Sequence, residues 1–110
     1  MRDETALFKA LSDPIRIKLA VLLAIQGETC VCILAQALDE PDFKISRHLG
    51  VMRSAGMVEA RREGTWMYYK LVDPRHRLEQ CLQDCFRDCL VGHADVKAAM
   101  KRLASASCAK

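Results

Sequence analysis

Met57-Val58-Glu59-Ala60-Arg61-Arg62-Glu63-Gly64-Thr65-Trp66-Met67-Tyr68-Tyr69-Lys70-Leu71-Val72 is the stretch on which the fold turns. Met57 to Arg62 and Trp66 to Val72 alternate in the manner of strands, and Glu63-Gly64 between them reads as a hairpin turn. Just upstream, Phe43-Lys44-Ile45-Ser46-Arg47-His48-Leu49 has helical period instead. With Ile45 inward and about 100° per residue, Leu49, Met52 and His48 fall within roughly 60° of it. Phe43, Ser46, Arg47, Gly50 and Ser54 fall on the opposite face. Pro41 opens this helix, Asp42 suits its positive N-terminus, and Gly56 closes it.

Working outward, Ala6, Leu7, Ala10 and Leu11 outline a short first helix. Asp13-Pro14 supplies a cap and a helix-opening proline. The second helix runs to about Ile25 with Ile17, Ala20, Val21 and Ala24 inward, and Gln26-Gly27 ends it. Val31, Leu34, Ala35 and Leu38 form a third apolar stripe. After the hairpin, Asp73-Pro74 repeats the helix-start chemistry. A long helix then runs to about Val91 with Gly92 as its stop, and a last one carries Val96, Ala99, Met100 and Leu103. The tail from Ser105 to Lys110 reads as frayed. The expected class is mainly α with a β-hairpin wing, in the order α-α-α-α-β-β-α-α. A helix-turn-helix followed by a hairpin is the winged helix-turn-helix layout.

At 110 residues the chain is one domain, 1–110, with a small core that a partner subunit would help to stabilise. Its parts are a reader helix over about 41–55, a wing over about 57–72 and C-terminal helices over about 74–104. Hydrophobic residues at 51% and charged ones at 28% are ordinary for a globular protein and too apolar for disorder. The net charge of +3 is mild, so the placement of the cations matters more than their sum. No apolar run reaches the length of a membrane span, and Met1-Arg2-Asp3-Glu4 lacks the layout of a signal peptide. A cytoplasmic location is expected, where six cysteines remain thiols.

The outer face of the reader helix matches DNA. Arg47 suits the O6 and N7 atoms of guanine, Ser46 a base or phosphate, and Phe43 a thymine methyl; Lys44 at the flank suits a phosphate. Arg61, Arg62 and Thr65, with Lys70, make the wing basic enough to grip a sugar-phosphate backbone. A solvated helix face is the plainer reading of Phe43 to Leu49 alone; helix and wing together favour DNA. His48, at the edge of the inner face, reads as a packed, hydrogen-bonded histidine rather than a metal ligand.

Cys30 and Cys32 stand two residues apart at the start of a helix, where backbone N–H groups favour thiolate over thiol. Thiolates suit soft acceptors such as As(III), Sb(III), Cd(II) and Pb(II). The competing reading is a pair of buried small hydrophobes. Cys81, Cys85 and Cys89 complete an apolar stripe with Leu78, Leu82, Phe86 and Leu90, which reads as core or dimer seam. Cys81 and Cys89 lie about 12 Å apart along the helix axis, so one small ion does not take all three. Cys85 with Cys89 is the pair able to chelate with help from elsewhere, and Cys108 is one candidate for that help.

Glu28-Thr29-Cys30-Val31-Cys32 resembles the E-L-C-V-C-D-L box of the ArsR/SmtB family of winged-helix metalloregulators. Lys44 to Leu49 resembles its recognition helix and Arg62 to Tyr69 its wing, and Ala10 to Arg16 also matches the family. The resemblance covers about residues 6–72 and is nearest the arsenical-resistance repressors. It implies a homodimer paired through the first and long C-terminal helices, holding a palindromic double-stranded operator until the inducer binds. The chain departs from the pattern in three ways. Ala35 stands where the well-known enterobacterial arsenic repressors carry a third cysteine, and Ile33 replaces the aspartate. The N-terminal cysteines of cadmium and lead sensors are absent. Asp73, His76 and His93 do not reproduce the family's zinc spacing.

The expectation is therefore a repressor that needs no cofactor and leaves its operator when cysteine thiolates, Cys30 and Cys32 among them, bind As(III) or Sb(III). A third sulfur must come from the Cys81–Cys89 helix, Cys108, the partner chain or a small thiol. The alternatives within the fold are response to Cd(II) or Pb(II), or to thiol redox state. No enzyme is expected: no βαβ pattern surrounds the pair, as a thiol–disulfide oxidoreductase requires. A metal-buffering protein without DNA affinity is the remaining rival.

Overall fold

The computed structural model describes residues 1–108. In chain order the elements are α1 (Arg2–Ala10), α2 (Pro14–Gln26), β1 (Thr29–Cys30), α3 (Val31–Leu38), α4 (Asp42–Ser54), β2 (Val58–Glu63), β3 (Trp66–Leu71), α5 (Arg77–Asp88) and α6 (Ala94–Ala104). Among the described residues, six helices accompany one small antiparallel sheet of order β1-β3-β2, the winged-helix architecture. No helix among the described residues is long and apolar enough to cross a membrane.

The Asp13 carboxylate caps α2 by accepting from the backbone N–H groups of Ile15 (2.9 Å) and Arg16 (3.1 Å), with Pro14 in the first turn. The expected one-sided stripe on this helix is not found. Leu19, Ala20, Val21, Leu22 and Leu23 are all buried in succession, because α3, α4, α5, α6 and β3 pack around α2 from several sides. Ile17 and Ala24, expected inward, are only half-buried. The reader helix behaves as its period requires. Ile45, Leu49 and Met52 have no exposed surface, while Phe43 is 66% exposed. The helix begins one residue after Pro41, whose carbonyl accepts from Lys44 and Ile45 N–H.

The hairpin has the expected strands with its turn shifted by one residue. Glu63 pairs with Trp66, so Gly64-Thr65 forms the loop, and Gly64 supplies the left-handed φ of +63° that such a turn needs. A third strand was not anticipated: Thr29 and Cys30 pair with Tyr69 and Tyr68. Two residues are too few for an alternating pattern to be read.

The C-terminal half differs at its boundaries. Asp73-Pro74 does not begin a helix; α5 starts at Arg77, with the His76 ring accepting from Glu79 N–H at 3.5 Å. Just ahead of the helix, the Arg75 N–H donates to the Glu79 carboxylate at 2.7 Å. The helix ends at Asp88 rather than Val91, and His93 caps α6 by accepting from Asp95 N–H at 3.1 Å. The tail is not frayed through residue 108, since Ser107 is hydrogen-bonded to α3. Ala109 and Lys110 lie outside the described residues.

Candidate functional site

The candidate residues gather on two surfaces. On the first, α4 projects Phe43, Ser46 and Arg47 into solvent, and the Arg47 guanidinium lies 5.8 Å from the Phe43 ring centroid. Lys44 is paired with Glu40 at 3.1 Å. His48 is not free: its Nδ1 accepts from Arg16 Nη1 at 3.1 Å, and Arg16 Nε also donates to the Ala10 carbonyl at 2.6 Å. This network joins α1, α2 and α4 and leaves the histidine a structural part, as its position on the helix suggested.

On the wing, Arg62 and Thr65 are exposed, and neither Arg47 nor Arg62 has a carboxylate partner among the described residues. Arg61 is engaged instead. It donates from Nη2 to Glu28 Oε1 at 2.8 Å, lies 3.6 Å from Glu63 Oε2 and stacks 4.8 Å from the Tyr68 ring centroid. Glu28 accordingly holds its carboxyl below the usual range, the Arg61 hydrogen bond being the main cause. Sequence reasoning grouped Arg61 with the other wing cations because its partner lies 33 residues upstream.

The second surface is a thiol cluster. Cys30 ends β1 and is the N-cap of α3; Cys32 lies in the first turn of that helix. Their sulfurs are 3.5 Å apart. The tail beyond α6 brings Cys108 to them, its sulfur 3.8 Å from that of Cys30 and in contact with that of Cys32. All three sulfurs lie within 4.8 Å of one another. Such a set fits a soft ion that prefers several thiolates, and two of its members sit at the head of the helix that packs on α4.

Cys81 and Cys85 of α5, and Cys89 at its C-cap, do not join this group. Cys81 and Cys89 are exposed and Cys85 is half-buried. Burial pushes the Cys85 thiol up, with Cys89 beside it adding to the effect. No third histidine, cysteine or carboxylate completes a cluster with Cys85 and Cys89 among the described residues.

A family model described as bacterial regulatory protein, arsR family, matches residues 13–60. An HTH-type transcriptional regulator of Methanocaldococcus jannaschii is 46% identical over 69 residues, covering 63% of this chain and 78% of the relative. The arsenic resistance transcriptional regulator ArsR2 of Pseudomonas putida is 52% identical over 64 residues, 58% of this chain and 56% of the relative. The chain thus spans about half the length of that arsenic regulator. Among solved structures, the homodimeric winged helix-turn-helix DNA-binding domain Mb0332 of Mycobacterium bovis, a possible ArsR-family regulator, superposes with a TM-score of 0.67. It is 34% identical, with 84% of this chain and 86% of that one covered. The AntR antimony-specific transcriptional repressor superposes with a TM-score of 0.66 at 28% identity, covering 83% of this chain and 78% of that one.

Proposed function

The chain belongs to the ArsR family of bacterial regulatory proteins, transcriptional regulators rather than enzymes, and from that premise we propose that it is a metalloid-responsive repressor. As a homodimer in the cytoplasm it holds a palindromic operator and leaves it when As(III) or Sb(III) is taken up by Cys30, Cys32 and Cys108. The observation that carries the reading is the convergence of three sulfurs within 4.8 Å. The arsenic and antimony regulators among its relatives support the choice of ion. On this reading Ala35 deprives the site of nothing, because Cys108 serves as the third thiolate.

The three sulfurs come from three parts of the fold. Cys30 belongs to both β1 and the α3 cap, Cys32 to the first turn of α3, and Cys108 to the tail. Closing the three around one ion strains the head of α3, which packs on α4, and pulls on β1, which pairs with the wing strand β3. In a dimer the two reader helices must meet half-sites about 34 Å apart, so a small tilt spoils both contacts. A hundredfold loss of operator affinity requires about 2.7 kcal/mol of coupling, within the usual allosteric range. Phe43, Ser46 and Arg47 read the groove, and Lys44, Arg62 and Thr65 hold the backbone.

The test is fluorescence anisotropy of operator-bound protein titrated with As(III), Sb(III), Cd(II), Pb(II) and Zn(II) under reducing conditions. Release by As(III) and Sb(III) at the lowest concentrations is expected, with Cys30→Ser and Cys32→Ser still binding DNA but failing to dissociate. Release by Cd(II) or Pb(II) instead would reassign the ion to the same sulfurs. If the serine variants dissociate as readily as the parent protein, the thiol assignment is wrong.

A second reading, a redox-sensing repressor, has one observation in its favour. The Cα atoms of Cys32 and Cys108 are 6.2 Å apart, within disulfide reach. A peroxide would take two electrons and two protons from these thiols, forming the S–S bond and two waters. Release by peroxide, reversal by reductant and indifference to metalloid would identify it.

A further inference from the structure

Cys108 lies four residues beyond the end of α6, in a segment without regular structure. A thiol there has no intrinsic reason to face Cys30 and Cys32. Besides its own contact with Cys32, one side chain on α3 holds the segment that carries it. Gln36 Nε2 donates to the Ser107 carbonyl at 2.8 Å, and the Ser107 N–H donates to Gln36 Oε1 at 3.3 Å. The amide thus engages both main-chain groups of one residue, which sets the direction of the chain as well as its place. Gln36 is one helical turn beyond Cys32 on the same face. A tail running back along α3 therefore passes Ser107 over Gln36 and delivers the next residue, Cys108, to Cys32. A further bond from Arg102 Nε to the Ala37 carbonyl, 2.7 Å, ties the last turn of α6 to the end of α3.

We propose that Gln36 is a positioning residue for the thiol centre: by clamping the Ser107 backbone it presents the Cys108 sulfur to those of Cys30 and Cys32. The inference rests on the metalloid reading above and adds how its third ligand is held. Gln36 is exposed, and hydrogen bonds competing with water add little net stability. Their consequence lies in preorganisation, since an ion meeting three sulfurs already gathered loses less freedom than one that must recruit a wandering tail.

Arsenite is the probe, titrated into reduced full-length protein in a buffer containing a phosphine and no small thiol. Five proteins are compared: the parent chain, Gln36→Ala, Gln36→Glu, Cys108→Ser and the Gln36→Ala, Cys108→Ser double variant. Binding is read as a dissociation constant and as the sulfur-to-arsenic charge-transfer absorbance per bound arsenic, which follows the number of thiolates. Gln36→Ala should weaken binding about tenfold, equivalent to about 1.4 kcal/mol, and lower that absorbance. In the Cys108→Ser background the same substitution should change neither quantity, because there is no third thiolate left to position. Gln36→Glu, which keeps the acceptor for the Ser107 N–H and loses the donor, should fall between. An equal loss with and without Cys108 would reveal a general structural effect and overturn the proposal. So would a Gln36→Ala protein matching a parent that binds arsenite, an outcome that leaves the metalloid reading standing. A parent chain that takes up no arsenite overturns both.

Discussion

Glu79 is withdrawn from solvent, 4% exposed, yet it carries a charge. Arg75 compensates by donating to it from Nη2 at 2.6 Å, from Nε at 3.2 Å and from its own backbone N–H at 2.7 Å. Arg75 Nη2 also donates to the Gly56 carbonyl at 3.0 Å, so this pair ties the first turn of α5 to the exit of the reader helix. Hydrogen bonds from the guanidinium hold the Glu79 carboxyl below the usual carboxylate range, against the opposing effect of burial. A folded-state value below the unfolded one, near 4.3, means that the unfolded chain binds protons first as the pH falls. The stabilisation is thus present at neutral pH and is lost as the pH falls through the depressed folded value. Glu79→Gln preserves shape and removes the charge. Its melting temperature should lie several degrees under the parent's at pH 7, and the gap should narrow steadily as the pH is lowered beneath the unfolded value, in thermal denaturation followed by circular dichroism. A gap that stays constant down to acid unfolding would assign the role to packing and hydrogen-bond geometry instead of charge.

At the scale of elements, the wing separates two arginines that are adjacent in sequence. Arg62 has no carboxylate partner among the described residues, whereas Arg61 is tied to Glu28 and Glu63. Each phosphate contact adds about 0.9 to the slope of log affinity against log salt. Arg62→Ala should therefore lower that slope by about one per subunit, and Arg61→Ala by clearly less; equal slopes for the two variants would show that Arg61 leaves Glu28 when DNA arrives. This distinction was not legible from Arg61-Arg62 as residues, because it depends on a strand, β1, of only two residues. The reader helix was legible, since Ile45, Leu49 and Met52 repeat at helical spacing and are fully buried as that spacing requires. The hairpin was legible too, to within one residue at its turn. The start of α5 was not, because Asp73-Pro74 has the local chemistry of a helix start while the bonds that form at the actual start, around Arg75 and His76, use Glu79 from further along the chain. For a third thiolate the sequence left a set of sources that included Cys108. That Cys108 approaches Cys30 and Cys32 depends on contacts such as the bonds between Gln36 and Ser107, 71 residues apart, which no local pattern encodes.

A single copy measures 42 × 31 × 20 Å and carries one reader helix, whereas a palindromic operator presents two half-sites about 34 Å apart. Function on such a site requires two copies held at fixed spacing. The surface suggests where they meet. Phe8 on α1 is 55% exposed, and on α5 the stripe expected to be core or seam leaves Cys81 and Cys89 in solvent. Apolar and thiol side chains on two separate helices are costly to leave hydrated and are relieved together if α1 and α5 pair with their copies across a twofold axis. Phe8→Glu places a charge in that contact while disturbing little within the subunit, since the ring already faces water in the monomer. Sedimentation should find the parent chain as two copies and the variant shifted towards one. The parent's melting temperature should rise with protein concentration, as linked association requires, and the variant's should not. Operator affinity should fall at least a hundredfold in the variant, because each half-site must then be found independently. If Phe8→Glu sediments as the parent does and keeps its operator affinity, α1 lies outside the pairing surface and α5 must be examined alone.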